Sequence, residues 1–208
     1  YVTLGEVFTP ATAIDQLSLF AGRNEQLQQL MDAILQKGGH AVIFGERGVG
    51  KTSMTSILIE YLAKLGKNVQ GVRITCDSGD DYTTIWRKVF KAFQTVSIDS
   101  AIGFGDRSER SYSSLDRSLP DVAAVEDVRE RLEIVAGKIT VLIIDEFDRV
   151  AESTRVQFAD TIKTLSDQAS LAKIVLVGVS DTVEQLISAH ESIERALAQI
   201  RMPRMSQS

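Results

Sequence analysis

One short stretch constrains the fold of this chain more than any other feature. Residues 45–52 read Gly-Glu-Arg-Gly-Val-Gly-Lys-Thr and fit the pattern G-x-x-x-x-G-K-[ST]. The stretch follows an apolar run, residues 41–44, and opens a segment in which apolar residues recur at helical spacing. A buried strand, a glycine-rich turn and a helix in this order predict a phosphate-binding loop within an α/β fold.

The residue types in this loop suit a nucleoside triphosphate. Glycine lets the backbone turn so that successive N–H groups face an anion, and the following helix directs its positive dipole end to the same place. Lys51 is expected to reach the β- and γ-phosphates, and the Thr52 hydroxyl to hold Mg²⁺. The predicted nucleotide-binding residues of the loop are Gly45, Glu46, Arg47, Gly48, Val49, Gly50, Lys51, Thr52 and Ser53.

An acidic pair follows the apolar run Val-Leu-Ile-Ile at residues 141–144. The carboxyl end of a buried parallel strand lies at the ligand-binding edge of an open α/β sheet. Asp145 is therefore expected to complete the Mg²⁺ site, and Glu146 to polarise a water molecule for attack on the γ-phosphate. The adjacent glutamate favours hydrolysis over mere nucleotide holding. No Asn-Lys-x-Asp guanine-reading motif is present, which favours ATP.

The remaining segments alternate between the two periodicities. Helical spacing marks residues 24–36, 52–62, 81–93, 125–135, 153–165 and a segment from about 183. Strand-like runs are residues 41–44, 69–75, 139–144, 174–177 and 198–202. This alternation predicts a three-layer sandwich, in which a five-stranded parallel sheet has helices on both faces. The Ser-rich, charged stretch 97–120 lacks any period and is expected to be a mobile insertion.

Composition excludes several classes of protein. The net charge of −5 argues against a protein that mainly wraps nucleic acid, although a local basic patch stays compatible with it. No apolar stretch is long enough for a membrane span, so no membrane association is expected. Cys76 is the single cysteine, which points to a reducing cytoplasm and a core thiol. His40 and His190 have no partner pattern for a metal, and Trp86 has the helical spacing of core packing.

These motifs together resemble the AAA+ division of P-loop ATPases. One strand, residues 69–75, separates the phosphate loop from the acidic strand, as in ATPases with an additional strand and a catalytic glutamate. Residues 19–25, Leu-Phe-Ala-Gly-Arg-Asn-Glu, resemble the entry motif hhGRxxE of initiator-type AAA+ and of STAND signalling ATPases. The resemblance implies the strand order 5-1-4-3-2. It also implies an adenine pocket lined by Phe20, Gly22 and Arg23.

Two further roles come from the resemblance. The sensor-1 position of AAA+ proteins falls at Ser180 or Asp181, and the plain alternative is that these residues cap a helix. Residues 192–195, Ser-Ile-Glu-Arg, resemble the arginine-finger region, which implies that Arg195 acts on the nucleotide of a neighbouring subunit in a homo-oligomer. Arg201 and Arg204 are alternatives to Arg195, or simple surface charges.

The resemblance implies an AAA+ core at residues 23–205, preceded by an extended lead-in at 1–22 that contributes to the adenine pocket and followed by a tail at 206–208. The helical lid of such ATPases is expected outside this chain. The implied activity is Mg-ATP hydrolysis coupled to oligomer assembly or to remodelling of a partner, with a DNA-associated protein as one candidate. The alternative is a STAND-like signalling or defence switch with an appended effector.

Overall fold

Five parallel strands form the central sheet. This computed structural model describes residues 23–64, 69–100, 115–135, 137–187, 193 and 195–204. The strands are β1 (His40–Gly45), β2 (Val69–Thr75), β3 (Ile139–Asp145), β4 (Ala172–Val179) and β5 (Leu197–Arg201). Their order is β2-β3-β4-β1-β5, and every pairing is parallel. The predicted order 5-1-4-3-2 is therefore confirmed.

Helices cover both faces of the sheet, as expected for parallel strands joined by crossover connections. They are α1 (Asn24–Leu35), α2 (Lys51–Lys64), α3 (Tyr82–Ser100), α4 (Val125–Val135) and α5 (Glu152–Asp167), with a short 3-10 helix at Phe147–Arg149. None of these helices in the described part of the chain is long and apolar enough to cross a bilayer.

The sheet separates two hydrophobic cores, and alternate residues of each strand point into one or the other. Ile143 packs with α1 and α2, whereas its neighbours Leu142 and Ile144 pack with α3, α4 and α5. On β2, Val72 and Ile74 belong to the core that packs with α3, α4 and α5. The intervening residue Arg73 therefore lies on the same face as the helix that follows the phosphate loop.

The aromatic residues of α3 are packing residues, as predicted from their spacing. Trp86 is fully buried and stacks on Phe158 of α5, with ring centroids 5.6 Å apart. Tyr82 meets Phe158 edge-on at 5.4 Å. Cys76 is buried as expected, and burial raises the pKa of its thiol to about 12. A thiol with this pKa stays protonated and unreactive at neutral pH.

The structure corrects two parts of the predicted organisation. Helix α3 continues to Ser100, beyond the predicted start of the insertion at 97, because no glycine or proline stops it before Gly103. At the other end of that stretch, Leu115 and Leu119 are buried in the core and are not part of a solvated loop. The rest of the predicted insertion, residues 101–114, lies outside the described residues, and its mobility stays a prediction.

The helix expected from about residue 183 is the second correction. Residues 181–187 form bends and turns, although the amide of Ile187 still donates to the Val183 carbonyl at 2.9 Å. The Ser180 hydroxyl accepts the Thr182 amide at 3.2 Å and so offers this backbone a local alternative to a helix. Val183, Leu186 and Ile187 are buried, and their burial explains the apolar spacing.

His40 makes the stability of this fold depend on pH. Its side chain is fully buried, its Nδ1 accepts the Ile174 amide at 3.0 Å, and its Nε2 has no partner. Burial, followed by the nearby charge of Lys173, lowers its pKa from 6.5 to about 3. Because the unfolded chain binds the proton more readily, the free energy of unfolding falls as pH drops below about 6.5.

We expect this histidine to cost about 2 kcal/mol of stability between pH 7.5 and pH 5, from the shift of its pKa to about 3. Urea unfolding at both pH values measures the loss. In His40→Asn, an amide oxygen can accept the Ile174 N–H but the side chain does not titrate. The variant should therefore lose about 2 kcal/mol less than the wild type over this range. Equal losses in the two proteins would assign the pH dependence to other groups.

Candidate nucleotide-binding site

The loop between β1 and α2 has the backbone geometry of a phosphate cradle. Gly45, Gly48 and Gly50 have φ angles of 140°, 81° and 90°, which glycine alone adopts without strain. A Cβ at Gly45 would stand 2.5 Å from the Met202 carbonyl oxygen, so not even alanine fits there. Around Gly48 and Gly50 the space is open within 4 Å, and a phosphate group can approach the backbone.

Lys51 lies at the base of this cradle. Its ammonium group donates to the carbonyl oxygens of Gly45 at 2.8 Å and Glu46 at 2.7 Å. Burial lowers the pKa of Lys51, while the carboxylates of Asp148 and Asp145 offset part of that shift. An anion placed in the loop would favour the charged ammonium in the same way.

Asp145 ends β3 beside the start of α2, where the predicted metal ligands come together. The Thr52 hydroxyl donates to Asp145 Oδ2 at 3.0 Å. A guanidinium nitrogen of Arg73 contacts the same oxygen at 2.6 Å. Sequence reasoning missed Arg73. The predicted order placed β2 next to β3, which was a partial signal, but the shared face of the two side chains follows from the strand register.

Glu146 stands at the same edge in a left-handed backbone conformation, with φ of 56°. Its amide donates to Asp145 Oδ1 at 2.9 Å. Its half-buried carboxylate pairs with Arg149 at 3.0 Å. A positive φ is uncommon for a residue with a side chain and costs free energy, so the surrounding structure must hold it. The structure thus brings Asp145 to Thr52, with Glu146 bonded to Asp145 and Arg149 paired to Glu146.

Asp148 joins the turn after β3 to the end of β4. Its Oδ1 accepts the Val179 amide at 2.8 Å. Arg155 of α5 donates to the carbonyl oxygens of Asp148 at 2.8 Å and Val150 at 3.1 Å, and also bonds the Gln185 carbonyl. Neither residue was predicted, because their bonds go to backbone atoms that no side-chain pattern reveals.

The two sensor-1 candidates differ in their surroundings. Ser180 is buried, and its hydroxyl contacts the carbonyl oxygen of Thr182 at 2.6 Å and Gln185 Oε1 at 2.7 Å. Asp181 is exposed at the same edge of the sheet. Ser180 thus bonds the backbone of a turn, and this resembles the helix-capping role that was the alternative to sensor 1. Sensor 1 stays a prediction for either residue.

The entry motif and the end of the sheet meet at the phosphate loop. Arg23 is buried and donates to the Val49 carbonyl at 3.3 Å and the Pro203 carbonyl at 2.5 Å. Arg204 pairs with Glu46 of the loop, and both side chains are at least half exposed. Phe20 and Gly22, which were assigned with Arg23 to an adenine pocket, lie outside the described residues.

The remaining predicted site residues are exposed or partly buried. Arg47 is exposed at the tip of the loop, and Ser53 is partly buried in the first turn of α2. Arg195 is exposed in the turn before β5, and Arg201 is exposed at the end of that strand. The arginine-finger role of Arg195 stays a prediction.

The donors at Asp145 fit a magnesium ion. Mg²⁺ prefers oxygen ligands and is commonly held by one or two carboxylates together with substrate phosphates. The Thr52 hydroxyl and Asp145 carboxylate, with oxygens 3.0 Å apart, supply such a pair. No group of three or more His, Cys, Asp or Glu side chains suited to a metal occurs in the described part of the chain. Phosphate oxygens of a nucleotide and water molecules would supply the other ligands of such an ion.

Comparisons with known proteins agree with this geometry. The family model described as AAA domain matches residues 25–187. An ORC1-type DNA replication protein 2 of Thermoplasma acidophilum is 22% identical over an alignment of 185 residues, which covers 86% of this chain and 42% of that protein. This chain therefore spans less than half the length of that relative.

Two solved structures share the fold. A Walker-type ATPase of Pyrococcus abyssi has a TM-score of 0.58 at 13% identity, covering 92% of this chain and 56% of its own. The ORC2 protein of Aeropyrum pernix, solved as ADPNP–ADP complexes, has a TM-score of 0.58 at 16% identity, covering 95% and 51%. The family match includes the loop, the acidic pair and all strands but β5. The chain belongs to the AAA domain family of P-loop ATPases.

Proposed function

We propose that this chain binds Mg-ATP at residues 45–52 and hydrolyses it. One observation carries the proposal: Thr52 and Asp145 meet at 3.0 Å beside a loop whose glycines have the positive φ angles of a phosphate cradle. The relative solved as ADPNP–ADP complexes supports an adenine nucleotide as the ligand. Phosphate release from ATP by the purified chain, with and without Mg²⁺, tests the proposal.

The loop and Lys51 would provide the binding energy for the phosphates. The amides of the loop and the N-terminus of α2 offer N–H donors to the phosphate oxygens. Lys51 would exchange its bonds to the Gly45 and Glu46 carbonyls for bonds to the β- and γ-phosphates. Thr52 and Asp145 would hold Mg²⁺, which when bound neutralises charge on the phosphate oxygens.

Glu146 would act as the general base. In the proposed step its carboxylate accepts a proton from a water molecule whose oxygen attacks the γ-phosphorus. The bond from that phosphorus to the bridging oxygen breaks, and ADP leaves with inorganic phosphate as the second product. The left-handed conformation of Glu146 and its bond to Asp145 Oδ1 fix the starting point of this side chain. Arg149 contacts Oε2 of this carboxylate at 3.0 Å, and Oε1 is the second oxygen that could accept the proton.

We propose that Arg195 completes the site of a neighbouring subunit. It is exposed in the turn before β5, as a residue that acts across an interface must be. An arginine supplied in trans stabilises the charge that develops in phosphoryl transfer. The ATPase rate per subunit of the wild type should therefore rise with protein concentration, and that of Arg195→Ala should stay at the value of the dilute protein.

Arg201→Ala is the matched control, since Arg201 is also exposed and lies at the far end of β5, the strand that follows Arg195. It should keep the concentration dependence of the wild type. A flat rate per subunit in the wild type, or a loss caused by Arg201→Ala instead of Arg195→Ala, would contradict the assignment.

The coupled process is proposed to be remodelling or assembly on a DNA-associated partner. The similarity to a DNA replication protein of Thermoplasma acidophilum favours this role over a STAND-like switch. The net charge of −5 gives no support to extensive DNA contact by this chain itself. Titration of a labelled DNA duplex with this chain, at low and physiological salt, tests for direct contact.

A further inference from the structure

We propose that Arg73 is the counter-cation of Asp145 in the metal-free protein, and that Mg²⁺ must displace it. This inference rests on the proposed nucleotide site, since Asp145 is its metal ligand. It gives Arg73 a role in setting how much Mg²⁺ the protein needs before it binds ATP with full affinity. Arg73 is thus a positioning residue, which acts through Asp145 and not on the nucleotide.

The contacts of Asp145 carry the proposal. A guanidinium nitrogen of Arg73 and the Thr52 hydroxyl both contact Oδ2, at 2.6 Å and 3.0 Å, while Oδ1 accepts the Glu146 amide at 2.9 Å. The carboxylate is only 8% exposed. The oxygen that faces Thr52, and therefore the proposed metal, is the one that Arg73 occupies.

Strand register and the packing of α2 on β2 place Arg73 beside Asp145. Thr75 of β2 is in register with Asp145, so Arg73 is its diagonal neighbour on the same face of the sheet. Gly71, two residues earlier on that face, has no side chain, and a Cβ there would stand 2.1 Å from a methyl carbon of Ile59. Helix α2 thus packs closely on β2, and Arg73 lies past this contact beside the start of the helix.

The charges explain why the pair forms and why it must open. A buried carboxylate without a partner is costly, and Arg73 supplies the partner in the absence of a metal. Mg²⁺ would need the same oxygen and would repel the guanidinium at this distance. Arg73 has a side chain that is 33% exposed on an edge strand, so it can turn toward solvent when the metal arrives.

The test is the Mg²⁺ dependence of nucleotide binding, measured without turnover. A fluorescent ADP analogue is titrated into the wild type, Arg73→Gln and Arg73→Lys, first in EDTA and then over a series of Mg²⁺ concentrations. We expect Arg73→Gln to lower the Mg²⁺ concentration at half-effect by about tenfold or more. Affinity in EDTA should stay within about twofold, because the proposal places Arg73 on Asp145 and not on the nucleotide. Arg73→Lys, which keeps the charge, should resemble the wild type.

Arg87→Gln is the matched control, because Arg87 forms an ion pair with Asp121 away from the site. It should leave both affinities unchanged. A half-effect concentration that stays the same or rises in Arg73→Gln would overturn the inference, since Arg73 would then be neutral toward the metal or would help to bind it. Equal weakening with and without Mg²⁺ would also overturn it and would indicate a structural role. A wild type that binds no nucleotide at all would instead overturn the proposed function.

Discussion

Replacing Glu146 with glutamine is expected to slow ATP hydrolysis by about 10²- to 10⁴-fold, the usual contribution of a general base. The amide has nearly the shape of the carboxylate but cannot accept the proton of the attacking water. The backbone contact between the Glu146 amide and Asp145 Oδ1 does not involve the substituted group. Affinity for Mg-ATP should therefore stay within about threefold of the wild type. Single-turnover phosphate release and equilibrium titration measure the two quantities separately.

Glu133→Gln provides the control for this experiment. Glu133 is a surface residue of α4 whose carboxylate pairs with Arg129, so its substitution changes the same charge outside the site. Its ATPase rate should match that of the wild type. If Glu146→Gln hydrolyses ATP at the wild-type rate, Glu146 is not the base and the hydrolytic step must be reassigned.

Replacing Lys51 with alanine is expected to weaken ATP binding by about 100-fold, as befits the loss of charge-assisted hydrogen bonds worth about 3 kcal/mol. In the structure the ammonium bonds two carbonyl oxygens of the loop, Gly45 and Glu46. The variant loses the cation for the phosphates and these two loop contacts together. Isothermal titration with ATP and Mg²⁺ measures the change in affinity.

Lys163→Ala serves as the matched control, because Lys163 is an exposed lysine of α5 far along the chain from the loop. It should bind ATP as the wild type does. Thermal unfolding of both variants separates a lost ligand contact from a lost fold. Wild-type affinity in a folded Lys51→Ala protein would exclude residues 45–52 as the phosphate site.

The sheet and the phosphate loop were predictable because their signals are local. The glycines of residues 45–50 stand at the positions where the structure shows positive φ. Apolar runs predicted each strand to within one residue at either end, except at β4, where the apolar run 174–177 falls two residues short of each end of Ala172–Val179. Parallel pairing then brought Asp145 to the same edge as Thr52, as the fold class requires.

The ion pairs of the site were not predictable in the same way. The pairing of Arg73 with Asp145 depends on strand register, which no single segment specifies. Residues 146–149 form a positive-φ residue and a 3-10 turn, and this geometry brings Arg149 onto Glu146. The predicted helix from about 183 failed because buried turns can place apolar residues at helical spacing. The first of these misses concerns a contact between distant segments, and the other two concern local turns that the apolar pattern does not reveal.

The central claim is that residues 45–52 bind the β- and γ-phosphates of an adenine nucleotide. Competition against a fluorescent ATP analogue, in the presence of Mg²⁺, tests it with ATP, ADP and AMP as competitors. AMP has neither phosphate that Lys51 would contact, so we expect it to bind at least about 100-fold more weakly than ATP or ADP. Displacement by AMP at the same concentration as ATP, or no saturable binding of the analogue, would contradict the claim.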